Sequence, residues 1–235
     1  FPEIPTVCIV HTLTKCTKQD NTFYIFVSEA AQAESGIEEN YEIIPNGVDF
    51  ETFGTGQTVR QRLGYNYNDF IVLYVGRLSP EKRIGQIIEA CSLTESKLII
   101  AGEGHERPLL EAMVKQWGME DQVNFRGYIP PRGIANLLSS VNCLVLNSRT
   151  ESMPLVILEA MAMGCPIIST DVGDVPKLLL NGEAGFLMKG SVQEIVSNIE
   201  TVRDDVRTAE SRARTARQYV RENHDLEFAH HQYWN

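Results

Sequence analysis

The sequence predicts an α/β fold: a Rossmann-like parallel sheet with helices on both faces, preceded by a partial N-terminal α/β unit. Three observations predict it. Short runs rich in Val and Ile recur along the chain. The later runs alternate with segments of helical periodicity. Most of the runs are almost continuously apolar, as strands buried on both faces must be. Strand, helix, strand in succession implies right-handed crossovers and a parallel sheet.

Each element has its own signal. Residues 6–10, 23–27 and 42–44 read as strands of the first unit. Pro45-Asn46-Gly47 is a turn signal, which divides the chain into a partial acceptor-side unit (1–45) and a main domain (46–215). In the main domain the strands fall at 70–75, 97–101, 122–125, 143–146 and 166–169. The helical patterns between them cover 83–92, 106–117, 133–139 and 154–163. Residues 191–235 are charged and helical, with apolar Ile195, Val196 and Ile199 on one side. The ending at 216–235, with Phe228, Tyr233 and Trp234, is expected to return toward the first unit.

Composition narrows the function. With 235 residues, 43% of them apolar, the chain can bury an ordinary core. The formal net charge of −10 argues against nucleic acid as the main partner, because phosphate-backbone binders need a basic surface. A local basic pocket for a small phosphate ligand stays compatible with it. No apolar run reaches the roughly 18–20 residues of a membrane span, and no signal-peptide pattern opens the sequence. Peripheral membrane contact remains open. Cys8, Cys16, Cys91, Cys143 and Cys165 are scattered and odd in number, so reduced thiols and a cytoplasmic setting are expected. Cys8, His11 and Cys16 lack a fourth ligand at zinc-like spacing, so no metal is expected.

In parallel sheets of this kind, ligands sit beyond the carboxyl ends of the strands. The unusual residues fall in those loops. Gly76-Arg77-Leu78-Ser79-Pro80-Glu81-Lys82 follows one strand. Gly76 permits close approach of a ligand to backbone, and Arg77 and Lys82 flank a helix start that already favours an anion. A diphosphate fits there; a solvated loop with two surface cations is the other reading. Ala101-Gly102-Glu103-Gly104 follows the next strand, either as backbone packed on a ligand or as a plain tight turn.

Ser148-Arg149-Thr150-Glu151-Ser152-Met153-Pro154-Leu155 leads into a helix that Pro154 suits at its start and Gly164 at its end. Glu151 precedes that helix and Glu159 lies inside it, on the order of 10 Å further along the axis. That separation fits two polyols joined by a diphosphate, with each carboxylate accepting from neighbouring hydroxyls. Glu151 would read the sugar and Glu159 the ribose, while the amides around Met153, Pro154 and Leu155 face the phosphates. Glu159 alone could be a surface glutamate, but its neighbours from 155 to 163 are apolar, which points it at a pocket or a partner.

Together these motifs resemble the family 4 retaining glycosyltransferases. The resemblance rests on Ile44-Pro45-Asn46-Gly47-Val48-Asp49, Val75-Gly76-Arg77-Leu78 with Lys82, Ala101-Gly102-Glu103-Gly104 and Phe125-Arg126-Gly127-Tyr128. Its most specific part is Glu151 and Glu159 with seven residues between them, followed by Ala160-Met161-Ala162-Met163-Gly164-Cys165-Pro166. It runs from about Thr6 to the C-terminus.

The resemblance implies a GT-B fold, in which two Rossmann-like domains face a cleft. It implies a UDP-, GDP- or ADP-sugar as donor, metal-independent transfer with retention, and a glycan, lipid-linked or polysaccharide acceptor. Arg77 and Lys82 would hold the diphosphate, Glu151 the sugar, Glu159 the ribose, and Tyr128 and Ile129 would lie by the base. His11 resembles the family's histidine beside the donor sugar; a satisfied histidine at a strand end is the alternative.

Three departures stand out. The family's acceptor-side domain normally has several more strands and a glycine-rich loop before residues 6–10, and helices are also missing near 12–21. Ser152-Met153-Pro154 replaces the commoner Gly-Phe-Gly. Gly173-Asp174-Val175-Pro176-Lys177 stands where Gly-Gly and then Pro-Glu are usual. Two other functions stay open: a non-catalytic nucleotide-sugar-binding subunit that pairs with a partner chain or a second copy through its apolar ends, and a nucleotide-sugar epimerase. The Glu151–Glu159 spacing argues against the epimerase.

Overall fold

The computed structural model describes residues 6–11, 13–19 and 22–227. The first unit is a parallel sheet of β1 (Thr6–Val10), β2 (Thr22–Phe26) and β3 (Tyr41–Ile43), in that order. Its small core gathers Val10, Tyr24, Phe26, Ala31 and Ile37. Helix α1 (Glu29–Ser35) follows β2, with the Ser28 side chain capping it by accepting from the Ala31 amide. The sequence reading missed α1, because Glu, Ala, Gln and Ser carry no apolar period. The described residues between β1 and β2 contain no helix.

After the turn at 45–47 and a short helix α2 (Phe50–Phe53), the main sheet begins. Its elements are β4 (Ile71–Val75), α3 (Ile84–Leu93), β5 (Lys97–Ala101), α4 (Arg107–Gln116), β6 (Val123–Gly127), α5 (Pro131–Leu138) and β7 (Cys143–Leu146). Then come α6 (Leu155–Met163), β8 (Ile167–Thr170), α7 (Val175–Leu178), β9 (Phe186–Met188), α8 (Val192–Asp204) and α9 (Val206–Asn223). All paired strands run parallel, in the order β6-β5-β4-β7-β8-β9. The interiors of β4, β5, β7 and β8 are fully buried and mostly aliphatic, as two covered faces require.

The expected strands and helices lie within a residue or two of the observed ones. Besides α1 and the four-residue helices α2 and α7, strand β9 was not expected: three residues, Phe186, Leu187 and Met188, hemmed by turns, gave no run long enough to read. The helical tail is two helices broken at Asp205, which caps the second by accepting from the Thr208 amide. Helix α9 is continuous across position 215, where a boundary was drawn. Phe228, Tyr233 and Trp234 lie outside the described residues.

The units are joined where the chain leaves the first sheet and again where it returns. Val48 bridges Asp225 in parallel, its amide donating to the His224 carbonyl (2.8 Å) and its carbonyl accepting from the Leu226 amide (3.1 Å).

Candidate active site

The strand order fixes where a ligand can enter. From β4 the chain winds one way through β5 and β6, then crosses back to β7 and winds the other way. The connections leaving β4 and β7 therefore diverge to opposite sides and open a crevice at the carboxyl ends of the two strands. Gly76 and Arg77 follow β4, and Thr150 and Glu151 follow β7. All four line one cavity of about 510 Å³, within the range of small-molecule sites.

The loop after β4 is braced against its neighbours. The Tyr74 hydroxyl donates to the Arg77 carbonyl at 2.8 Å, and the Leu78 amide donates to the Glu103 carbonyl at 2.9 Å. Gly102, at φ 149°, packs so closely that an added Cβ would lie 1.9 Å from the Gly76 carbonyl oxygen. Lys82 ends a single 3-10 turn, Pro80–Lys82. Arg83 follows in a left-handed conformation, φ 49°. Its guanidinium donates to the Asn147 carbonyl (2.7 Å) and the Ser148 carbonyl (3.3 Å), and the Glu81 carbonyl accepts from the Arg149 amide (2.8 Å). The two loops are thus sewn together below the cavity.

This brings opposite charges into contact. Lys82 Nζ lies 2.7 Å from Glu151 Oε1, with the side chains 19% and 14% exposed. Ser148 Oγ donates to the same oxygen at 2.6 Å. Glu159, on α6, lines the same cavity. No hydrogen bond or ion pair reaches its carboxylate from the other described residues, and burial pushes its carboxyl up to about 7. Arg77 is exposed, with its side chain at the cavity wall.

A second cavity of about 430 Å³ adjoins the first, sharing Gly76, Arg77 and Glu159 and adding Gly102, Tyr128 and Ile129. Because they share residues, the two form one continuous groove, lined by Glu151 and Glu159, by Arg77 and Lys82, and by the exposed Tyr128. His11, at the end of β1, faces the groove from the first unit. Pro154 and Leu155 line it at the start of α6.

The structure thus brings Glu151, Arg77, Lys82, His11, Gly76, Gly102, Tyr128, Ile129, Pro154, Leu155 and Glu159 to one groove. Met153, expected at the groove through its backbone amide, has its side chain elsewhere. It is buried and lines a different cavity, between the two units, with Asp174, Lys177 and His224. The turn into α6 points its side chain away from the groove, and its carbonyl accepts from Asn46 Nδ2 at 3.0 Å. Lys177 pairs with Glu29 of the first unit at 2.7 Å rather than lining the groove. Tyr74 and Thr150 line the groove without having been singled out. A tyrosine one residue before the end of an otherwise aliphatic strand was the available signal for Tyr74.

Fold and groove define the class: a two-unit, Rossmann-like protein of GT-B type, with a ligand cleft at the switch point of its main sheet. The chain belongs to the family described as "Glycosyl transferases group 1", whose model matches residues 57–219. Among curated proteins it is 34% identical over 174 residues to the alpha-D-kanosaminyltransferase of Streptomyces kanamyceticus, covering 72% of this chain and 45% of that protein. It is 30% identical over 172 residues to the N-acetyl-alpha-D-glucosaminyl L-malate synthase of Bacillus anthracis, covering 67% and 45%. Anabaena HepE, solved in complex with UDP and glucose, superposes with a TM-score of 0.89 at 25% identity, covering 97% of this chain and 70% of that one. The chain spans a little under half the length of these curated relatives. The family favours a transferase over a non-catalytic binding subunit. Among the described residues, no helix is long and apolar enough to cross a membrane.

Proposed function

We propose that this chain is the donor-binding part of a retaining glycosyltransferase, which moves a hexose or similar sugar from a nucleoside-diphosphate sugar to a glycan, lipid-linked or polysaccharide acceptor. The observation that carries the reading is the groove itself: Glu151, Glu159, Arg77 and Lys82 all line one cavity. Its polarity matches an activated sugar, whose hydroxyl-rich ends flank a diphosphate.

In this reading Glu151 accepts from sugar hydroxyls and Glu159 from the ribose diol. The base lies along Gly102, Tyr128 and Ile129. Lys82 has three N–H donors and can hold Glu151 with one while giving another to the diphosphate. Arg77 offers its fork from the loop after β4. Charge develops on the departing diphosphate, and preorganised cations there lower the barrier more than any other single device available in the groove. Attack comes from the leaving-group side, with the donor phosphate taking the acceptor proton, so no metal enters the scheme. His11 sits beside the transferred sugar. The five unpaired thiols fit a cytoplasmic enzyme.

Titration calorimetry with UDP, GDP, ADP and their sugars tests the reading. One nucleotide should bind saturably, and binding should fall at least about tenfold in Arg77→Ala and in Glu159→Ala, the loss of one charge-assisted contact each. Absence of binding to all three sets would overturn it.

A further inference from the structure

We propose that Asp174 is a positioning residue that transmits the docking of the first unit to the loop carrying Glu151. The inference rests on the donor-groove reading above. Asp174 is 8% exposed and lines no part of the groove. Its two carboxylate oxygens are both committed across the junction. Oδ2 accepts from the Glu29 amide (3.2 Å) and Oδ1 from the Ala30 amide (3.1 Å). These are first-turn amides of α1, which have no acceptor within their own helix.

The same residue holds the acidic loop by its backbone. The Asp174 amide donates to the Ser152 carbonyl at 3.1 Å. Gly173, at φ 55°, stacks so tightly that a Cβ there would lie 1.8 Å from the Glu151 carbonyl oxygen. From the first unit, Ser28 Oγ meets Ser152 Oγ at 2.9 Å, and Ser28 also caps α1. From the linker, Asn46 Nδ2 donates to the Met153 carbonyl. Glu151, Ser152 and Met153 are therefore each fixed from outside, and Ser28 and Asn46 belong to the first unit and its exit.

Shifting the first unit would strip the Asp174 carboxylate of both amide donors and leave the first-turn amides of α1 without an acceptor. The docked arrangement and the loop geometry consequently favour each other. The Lys177–Glu29 ion pair spans the same junction but is 58% and 65% exposed on its two sides, so screening leaves it little weight. Glu151 is the group argued to touch the sugar, whereas the side chains argued to read base, ribose and diphosphate, Tyr128, Glu159, Arg77 and Lys82, make no hydrogen bond with Asp174. The coupling should be read in sugar recognition alone.

The test measures Kd for UDP, GDP and ADP and for UDP-glucose, GDP-mannose and ADP-glucose. The ratio of nucleotide to nucleotide-sugar Kd isolates the contribution of the sugar. In Asp174→Asn this ratio should fall at least about fivefold, the low end of typical coupling between sites. Nucleotide Kd should stay within about twofold, as expected for a site with no shared contact. Ser28→Ala, which cuts the other link without removing a buried charge, should lower the ratio in the same direction and keeps the idea testable if Asp174→Asn does not fold. An unchanged ratio in a folded variant, or equal weakening of nucleotide and nucleotide sugar, would overturn the role of Asp174 while leaving the donor site intact. Wild-type protein that binds none of the nucleotides would overturn the donor site, and this role with it.

Discussion

Glu159 is the most exposed to a pH test of any residue in the groove. Helix α6 is apolar on nearly every side, and the acid lies on it at the wall of the cavity, largely buried. Burial alone lifts its carboxyl to about 7, from an ordinary 4.5. The folded state therefore prefers the protonated acid. The stability it contributes is complete below pH 4.5 and is lost as pH rises through about 7. Glu159→Gln removes that dependence. At pH 8 the variant should melt about 2–4 °C above wild type if roughly 1 kcal/mol is recovered, and at pH 4.5 the two should coincide. A ribose diol donating to the ionised acid pulls the other way. Nucleotide binding should release a proton near pH 6.5 to 7, visible as a buffer-dependent heat that Glu159→Gln abolishes. Equal heats in buffers of different ionisation enthalpy would refute the contact. Glu159 was legible in the sequence because a carboxylate in an apolar run must face something polar. Met153 was not, since an apolar side chain suits either of the two cavities beside its loop. Asp174 showed only as a departure from pattern: the amides it accepts from belong to a helix that local sequence did not announce.

At the scale of elements, the loops after β4 and β5 make the groove wall as one piece. The Gly76 amide donates to the Ala101 carbonyl at 3.0 Å, the Gly102 amide to the Gly127 carbonyl at 2.8 Å, and Leu78 pairs with Glu103. Close approach at Gly102 requires the absence of a side chain, and its φ of 149° is one that L-residues avoid. Gly102→Ala should therefore part the two loops. A stability loss of about 1–3 kcal/mol is expected from overpacking and backbone strain, measurable by urea unfolding. Nucleotide affinity should fall as well, because Gly76 and Arg77 move with the loop. A neutral substitution would show that the contact is soft. Strands β4, β5 and β7 were readable because burial on both faces demands nearly unbroken Val, Ile and Leu runs. Elements with other stabilisation were not. Helix α1 depends on the Ser28 cap and on contacts with Asp174, and β9 on pairing with β8.

The whole molecule turns on two crossings, at 45–48 and 224–226, and His224 sits where they meet. Its Nδ1 lies 3.1 Å from the Asn46 carbonyl, which can only accept, so Nδ1 carries the proton and Nε2 is the atom left to titrate. The ring tilts against Tyr219 at 5.7 Å and is 7% exposed. Glu29, Asp174, Lys177 and Tyr219 line the same cavity between the units. Burial holds the imidazole below its ordinary 6.5; the Asn46 contact opposes this and Lys177 reinforces it. A depressed pKa means that the stability contributed is present above pH 6.5 and is lost as pH falls through the folded value, opposite in sign to Glu159. Acidification should thus loosen the junction while it relieves the groove. The local reporter is the Val48 amide, which donates to the His224 carbonyl. Corrected for intrinsic chemistry, its hydrogen exchange should speed up in wild type as pH falls below 6.5 and through the folded value. In His224→Gln, which keeps a donor for Asn46 but cannot gain a proton, the protection should be independent of pH over the same range. Matching profiles in the two proteins would mean that the junction opens for reasons unrelated to this ring. A pH response confined to amides of the main sheet would instead assign the acid sensitivity to groups within the donor domain.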